Sequence, residues 1–360
     1  MRPLPGRFGG AFVDGSGRIV DGRWMVATSS KTGVLLVNTG TPAAPTPRAV
    51  RSFLSRFLMH RRIAPMNRIV WWWILHLLIL PKRGKASAEK YALIWTDDGS
   101  PSTVAHDALA RGVGEELTAR GFDVSVRVAM SFSEPRVGES IRTLRKSGCD
   151  RVVVLPLYPQ SAYSTTGAVR DEVASAVRFS RFRDSVEVVE DYHANPTYVR
   201  AIAASIRHAG FDPQSDDRLL FSYHSIPLAD IEAGDRYELQ SGASSLRIAE
   251  ELGLARDRWT IAYQCRFDKD RDWLAPSTAD TLARWADVGG GRVFVVCPNF
   301  AVDCLETLYD IKRVLEPEYL DRRRAAGHPT DMGCFVYVPC LGKSKAHVRV
   351  LCDVIEDRLV

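Results

Sequence analysis

The chain lacks the features that define several large classes of protein. The 48 basic and 43 acidic residues are mixed along its 360 positions and leave a formal net charge of +5, so a surface that follows a phosphate backbone is not expected. The seven cysteines are odd in number and form no CxxC pair, which favours reduced thiols in a cytoplasm over a disulfide framework. At about 100–200 residues per domain, the length predicts two domains.

No apolar run reaches the length of a membrane-spanning helix. Residues 69–80 read IVWWWILHLLIL, which is shorter than the roughly 20 residues that a spanning helix needs. Such a segment is typical of an interfacial helix on anionic lipid, of the lip of a large pocket, or of a buried helix. Cations lie on both sides of it (Arg61, Arg62, Arg68, Lys82, Arg83, Lys85). Residues 1–32 lack the apolar core of a secretory signal and are predicted to be a loose extension.

Short apolar runs rich in β-branched residues alternate with amphipathic stretches from Gly33 onward. This alternation is typical of parallel sheets that are covered by helices on both faces, so the predicted fold class is α/β. Four strands precede residue 195 and four follow it, which predicts two similar lobes, 33–194 and 195–360, with the last helix able to pack back on the first. Strands are predicted at 33–38, 122–130, 151–158, 186–192, 218–224, 258–264, 292–298 and 335–340. Helices are predicted at 46–57, 102–120, 137–146, 198–208, 243–252, 278–285, 303–315 and 345–359.

Candidate chemistry lies where the strands end, because ligands of open parallel sheets bind beyond the carboxyl ends of their strands. No strand is followed by GxGxxG or GxxxxGK[ST], so the common dinucleotide and nucleoside triphosphate sites are not expected. His224 ends the fifth predicted strand, and Pro227 forces a turn after it, which places an imidazole at the mouth of the sheet. A structural histidine that is satisfied by hydrogen bonds is the alternative.

Three carboxylates, Asp303, Glu306 and Asp310, follow the seventh predicted strand at helical spacing. A histidine together with carboxylates suits a divalent cation of intermediate hardness, or proton transfer. The same residues could instead form a solvated helix face that Asp303 caps. Ser164 and Thr165 stand ahead of a predicted helix, where they could donate to carboxylates or form a capping turn.

Several segments together resemble one family, the ferrochelatases, which are class II chelatases that insert ferrous iron into a porphyrin. The resemblance runs from about Gly33 to the C-terminus, and the wording of YQCRF and VDCLETL is closest to the protoporphyrin group. The resemblance rests on the order and spacing of seven segments: VLLVNTGTP (34–42), APTPRAVRSFLSRFLMHRR (44–62), IWTDDGSP (94–101), VLPLYPQ with STTGA (154–168), FSYHSIP (221–227), YQCRF (263–267) and VVCPNFAVDCLETLYDI (295–311).

The resemblance implies two Rossmann-like lobes with a porphyrin cleft between them. It implies insertion of Fe²⁺ into protoporphyrin IX with release of two protons, the last step of haem biosynthesis. The family's histidine and helix glutamate fall on His224 and Glu306, which are then the expected catalytic and metal-binding residues. The expected porphyrin contacts are Asp303, Phe300, Ser164, Thr165, Arg61, Arg62 and Trp273. The family's membrane lip falls on residues 69–80, so a cytoplasmic enzyme that is peripheral on the inner face of a membrane is expected, with no nucleic-acid partner and an open oligomeric state.

The chain also departs from the family's pattern. Met130-Ser131-Phe132-Ser133 replaces Met-Arg-Tyr-Gly, which removes a cation and a phenol that could contact the substrate, and Asp268 stands where glycine is common. Some relatives hold a [2Fe–2S] cluster, and the candidate cluster ligands in this chain are Cys149, Cys334, Cys340 and Cys352. The favoured alternative is that these cysteines are buried free thiols. Coproporphyrin as the substrate, cobalt as the metal, and a non-catalytic tetrapyrrole carrier stay open, although retention of His224 and Glu306 argues against the carrier.

Overall fold

The structure is a computed structural model that describes residues 31–266, 270–330 and 333–359, together with two short strands nearer the N-terminus. Those strands, β1 (Phe12–Val13) and β2 (Ile19–Val20), pair antiparallel as a hairpin. The other residues up to 30, where a loose extension is predicted, lie outside the described part of the chain, and so does Asp268. Residues from Lys31 onward form one compact unit.

Two four-stranded parallel sheets form the centre of this unit, and each strand falls on a predicted apolar run. The first sheet has the order β4-β3-β5-β6 and the second has the order β10-β9-β7-β8. The predicted α/β class is therefore confirmed. The first sheet contains β3 (Thr32–Asn38), β4 (Val124–Met130), β5 (Arg151–Pro156) and β6 (Val186–Val188). The second contains β7 (Arg218–His224), β8 (Trp259–Gln264), β9 (Val293–Val296) and β10 (Phe335–Val338).

Helices surround both sheets. In the first half of the chain they are α1 (Pro47–Leu58), α2 (Arg68–Trp73), α3 (Leu80–Ala92), α4 (Pro101–Ala119), α5 (Val137–Lys146) and α6 (Thr166–Val177). In the second half they are α7 (Pro196–His208), α8 (Leu228–Glu232), α9 (Tyr237–Leu252), α10 (Thr278–Val288), α11 (Glu316–Ala325) and α12 (Lys345–Glu356). Two π-helices, π1 (Ile74–Ile79) and π2 (Glu306–Leu315), and two 3₁₀ turns, Arg183–Ser185 and Arg256–Arg258, complete the described elements.

Successive side chains of the central strands point to opposite faces of their sheet and so belong to different parts of the apolar core. Val34 and Leu36 of β3 face a large cluster that also contains Phe221 of β7, so one core is shared by the two sheets. Leu35 and Val37 point to the other face of the first sheet, where they pack beneath α5 and α6. A third cluster lies on the far face of the second sheet, against α10 and α11. Both sheets are thus covered on both faces, and their inner strands are almost wholly buried, which is why these strands read as continuous apolar runs.

The last helix, α12, packs on α4 and α7. Arg120 of α4 donates to Asp353 at 2.9 Å and to Glu356 at 2.6 Å, both on α12, and Thr197 of α7 donates to Asp353 at 2.7 Å. These contacts bring the end of the chain back to a helix of its first half. The lobe boundary near residue 195 stays a prediction.

Candidate active site

A cavity of about 940 Å³ opens where the strands of both sheets end. Asn38 at the end of β3 and Tyr158 just beyond β5 line it from the first sheet, and His224, Gln264 and Phe300 line it from the second. This is the position that the parallel topology predicts for a ligand. The volume lies at the upper end of the range for small-molecule sites, which spans about 300–1,000 Å³.

The imidazole of His224 is oriented by its own neighbour. Its Nδ1 lies 2.7 Å from the carbonyl oxygen of Ser225, an acceptor, so Nδ1 carries a proton, and in the neutral ring Nε2 carries the lone pair. The hydroxyl of Tyr237 donates to the backbone oxygen of His224 at 3.0 Å and fixes the end of β7. The ring centroid of Phe300 lies 6.5 Å from that of His224. The tautomer makes Nε2 a proton acceptor or a metal ligand.

Glu306 and Asp310 supply carboxylates to the same cavity from π2. The Cys265 thiol donates to Oδ2 of Asp310 at 3.3 Å. Burial, together with the nearby charge of Glu306, raises the pKa of Asp310. A carboxylate whose ionisation is made costlier by burial and by a neighbouring negative charge is stabilised by a cation beside it.

The predicted α-helical face of three carboxylates is wrong in its geometry. Asp303 precedes the helix, which is a π-helix, and the residue before Glu306 at its N-terminus is Leu305 rather than a capping carboxylate. Asp303 accepts hydrogen bonds from Thr307 at 3.1 Å and from Tyr337 at 2.5 Å. Asp303 lines the cavity but is held by protein donors, so it braces the turn before π2.

Most of the other expected porphyrin contacts also line the cavity: Phe300, Trp273, Ser164, Thr165 and Arg62. Arg62 donates through Nε and a terminal nitrogen to Asp171 at 2.6 and 2.9 Å, so two of its donors are occupied by a carboxylate of the protein. Arg61 is exposed and does not line the cavity. The structure therefore brings Arg62, but not Arg61, to the site.

Two further cations of the cavity wall, Lys90 and Arg271, were missed from the sequence, which gave Arg266 only as part of the motif YQCRF and Arg83 only as a flank of the tryptophan run. Arg271 lies in the segment after β8, where a longer search beyond the strand end could have found it. Arg83 and Lys90 lie on α3, and nothing in their spacing indicates that this helix forms a wall of the cavity.

The altered segment Ser131-Phe132-Ser133 does not line the cavity. Phe132 packs in an apolar cluster with Phe53, and its ring meets that of Phe57 edge-on at 5.0 Å. Ser133 accepts a hydrogen bond from the backbone nitrogen of Thr41 at 3.3 Å. These residues support cavity-lining neighbours, so their influence on a ligand is indirect.

The cysteines proposed for an iron–sulfur cluster do not fit one. Cys149 is buried among apolar side chains on the outer face of the first sheet, and Cys352 is buried on α12, where its thiol donates to the oxygen of Val113 at 3.8 Å. Cys340 lies beside the hydroxyl of Tyr337. Within residues 31–266, 270–330 and 333–359, no three His, Cys, Asp or Glu side chains form a metal-holding group. Cys149, Cys340 and Cys352 sit in separate surroundings, so the four candidate thiols do not converge on one site.

Solved structures of chelatases share this fold. The chain is similar to SirB from Bacillus subtilis with Fe³⁺, with a TM-score of 0.55 and 11% identity over 92% of this chain and 96% of that one. It is also similar to the sirohydrochlorin chelatase SirB from Bacillus subtilis subspecies spizizenii in complex with cobalt, with a TM-score of 0.50 and 10% identity over 91% and 94% of the two chains. The fold is the two-lobe fold of the class II chelatases.

Sequence relatives identify the family within that class. The family model for Ferrochelatase matches residues 31–359. The Ferrochelatase of Aeromonas hydrophila is 39% identical over 327 residues, which cover 91% of this chain and 98% of that protein. The Ferrochelatase of Methylococcus capsulatus is 40% identical over 335 residues, covering 93% and 99%. The chain belongs to the ferrochelatase family, which confirms the predicted family and the prediction of a metal chelatase that acts on iron.

Proposed function

We propose that the protein inserts Fe²⁺ into protoporphyrin IX and releases two protons, with His224 and Glu306 as the residues that act on the metal and the pyrrole protons. The observation that carries the proposal is their placement: they come from the end of β7 and the start of π2, and they line one cavity. Lone histidines and lone carboxylates are common at strand ends, but this pair shares a site large enough for a macrocycle.

The reaction sets requirements that these groups meet. Water must leave Fe²⁺, two pyrrole protons must be removed, and the nitrogen lone pairs of a flat ring must be exposed to the metal. The Nε2 lone pair of His224 can accept a proton or bind the ion. Glu306 contributes negative charge that stabilises a cation stripped of its water.

The walls of the cavity favour protoporphyrin over coproporphyrin. Leu54, Phe57, Ile63 and Ile94 form an apolar wall, which suits vinyl groups. Two donors of Arg62, one of the cations that line the cavity, are already used by Asp171 and are not available to a propionate. Coproporphyrin carries two more carboxylates, and burying them against an apolar wall without partners is costly.

Anaerobic incubation with Fe²⁺ and each porphyrin in turn tests the proposal. Loss of free-porphyrin absorption should be faster with protoporphyrin than with coproporphyrin at equal concentrations. Faster consumption of coproporphyrin would overturn the substrate assignment. Tight binding of either porphyrin without metallation would identify a carrier and overturn the enzymatic function.

We also propose that the apolar lip, residues 69–80, rests on the cytoplasmic face of an anionic membrane. No helix in the described part of the chain is long and apolar enough to cross a membrane. Ile69 is 74% exposed and Leu77 is 62% exposed, whereas Leu75 is fully buried, so the lip is an amphipathic helical segment rather than a buried one. Cations flank its apolar face, which suits anionic headgroups.

Flotation with phospholipid vesicles tests the lip. The protein should float with vesicles that contain an anionic lipid, and the double variant Trp73→Ser, Leu77→Ser should stay at the bottom of the gradient. Leu239 is 70% exposed on α9, outside the lip, so Leu239→Ser is the matched control and should float like the unmodified protein. Equal flotation of the lip variant and this control would contradict the proposal.

A further inference from the structure

A cation from the first half of the chain reaches the carboxylates of the cavity. Lys90 lies in the last turn of α3, and its Nζ is 4.0 Å from Oδ1 of Asp310 and 4.8 Å from the ring centroid of Tyr309. The other carboxylate oxygen of Asp310 accepts from the thiol of Cys265. Asp310 therefore has an ammonium on one oxygen and a neutral donor on the other.

The position of Lys90 is set by contacts on either side of it. Arg313 of π2 donates to the carbonyl oxygen of Leu93 at 3.0 Å, just beyond the end of α3. Leu305, which directly precedes π2, packs against the cluster that contains Ala88 and Tyr91 of α3. These contacts tie α3 to π2, and the fold thereby holds the ammonium beside the carboxylates.

A divalent cation that approaches Glu306 and Asp310 meets this ammonium. Both oxygens of Asp310 can bind the ion only if the ion pair between Lys90 and Asp310 breaks. The ammonium of Lys90 and the metal ion also repel each other at these distances. The pair itself is partly exposed and adds little to folding, with side-chain exposures of 42% for Lys90 and 33% for Asp310. Its larger consequence is on the affinity of the site for a second cation.

We propose that Lys90 is a positioning residue that occupies Asp310 in the metal-free protein and weakens the hold of the site on the substrate metal ion. A carboxylate pair without a counterion would bind a divalent cation tightly and retain it, whereas the metal must pass on to the porphyrin. The inference rests on the proposed function, since it takes the cation to be a substrate. It concerns a residue outside the His224 and Glu306 pair.

Kinetics with the metal and the porphyrin varied separately test the proposal. Lys90→Met removes the charge and keeps most of the length of the side chain, and Lys90→Arg keeps the charge. Lys312→Met is the matched control, because Lys312 is exposed on π2, the helix that carries Asp310, and does not line the cavity. The KM for Fe²⁺ is measured at saturating protoporphyrin, and the KM for protoporphyrin at saturating Fe²⁺. Calorimetric titration with Co²⁺ in the absence of porphyrin gives the metal affinity directly.

Lys90→Met should lower the KM for Fe²⁺ by about tenfold and tighten Co²⁺ binding by a similar factor, with no rise in kcat and no change in the KM for protoporphyrin. Lys90→Arg and Lys312→Met should match the unmodified protein. An unchanged or raised KM for Fe²⁺ would overturn the proposal. A raised KM for protoporphyrin with an unchanged KM for Fe²⁺ would also overturn it and make Lys90 a contact of the porphyrin carboxylates.

The experiments distinguish a failure of the proposed function from a failure of this inference. If the unmodified protein metallates no porphyrin, the chelatase proposal is overturned, while the Co²⁺ titration still decides the claim about Lys90. Equal Co²⁺ affinities of the unmodified protein and Lys90→Met would reject the role of Lys90 even in an active enzyme.

Discussion

Two buried histidines make the stability of the protein sensitive to mild acid. His106 on α4 and His347 on α12 are 1% and 2% exposed, and their Nδ1 protons are donated to the oxygens of Ser102 and Gly342 at 2.6 Å. Burial lowers the pKa of each to about 4. The neutral ring is therefore the form that the folded protein accommodates.

The sign and size of the effect follow from the difference between the folded and unfolded chains. Between pH 6.5 and 4 the unfolded chain binds more protons at these residues, so the free energy of unfolding falls as the pH is lowered through that window. A pKa of about 4 against 6.5 when unfolded gives a loss of about 2 kcal/mol per histidine between pH 7 and pH 5. Burial raises the pKa of Glu172 to about 7. Its effect has the opposite sign, with a gain of about 2 kcal/mol over the same interval.

Because several groups contribute, the clean test compares a variant with the unmodified protein. His347→Gln can still donate to Gly342 but does not titrate, so its free energy of unfolding should fall by about 2 kcal/mol less between pH 7 and pH 5. Urea unfolding followed by tryptophan fluorescence at both pH values measures this difference. His208, which is exposed on α7, provides the control His208→Gln, whose pH dependence should match that of the unmodified protein. A His347→Gln variant with an unaltered pH dependence would refute the reasoning.

Two further predictions concern stability near the second sheet. The buried Asp217 accepts two hydrogen bonds from Arg292, at 2.9 and 2.6 Å, so Asp217→Asn should lower the free energy of unfolding by about 2 kcal/mol in a urea titration, and a change below about 0.5 kcal/mol would contradict this. A Cβ at Gly291 would lie 2.3 Å from the backbone oxygen of Asp216, so Gly291→Ala should cost about 1–3 kcal/mol. Gly242 on α9 has nothing within 4 Å of such a Cβ, and Gly242→Ala should be neutral or slightly stabilising; equal losses in both alanine variants would contradict the steric argument.

The strands β3, β5, β7 and β9 could be predicted from the sequence because they are buried on both faces. Helix α9 shows the limit of that approach, since it begins at Tyr237 rather than near residue 243. Its first turns bury polar side chains, and Gln240 and Ser244 make hydrogen bonds to Asp191 and Gln160. Because the buried face of these turns consists of amides and hydroxyls, the sequence shows no periodic pattern of apolar residues from which the start of the helix could be predicted.

The site was partly predictable for a similar reason. His224 and Glu306 stand at strand and helix ends, where the topology requires ligand contacts, and both line the cavity. Contacts between distant segments carry no such signal. The pairing of Lys90 with Asp310 and of Arg62 with Asp171 depends on how α3 and α6 pack, which short-range patterns do not encode.

The central claim is that His224 takes part in the insertion of iron while other walls of the cavity bind the porphyrin. Its most direct test is the anaerobic rate of Fe²⁺ insertion into protoporphyrin by the unmodified protein and by His224→Ala, with porphyrin affinity measured in parallel by fluorescence. We expect the unmodified protein to consume the free porphyrin, and His224→Ala to bind porphyrin with nearly unchanged affinity and insert no iron above the uncatalysed rate. Full residual insertion by His224→Ala would contradict the account.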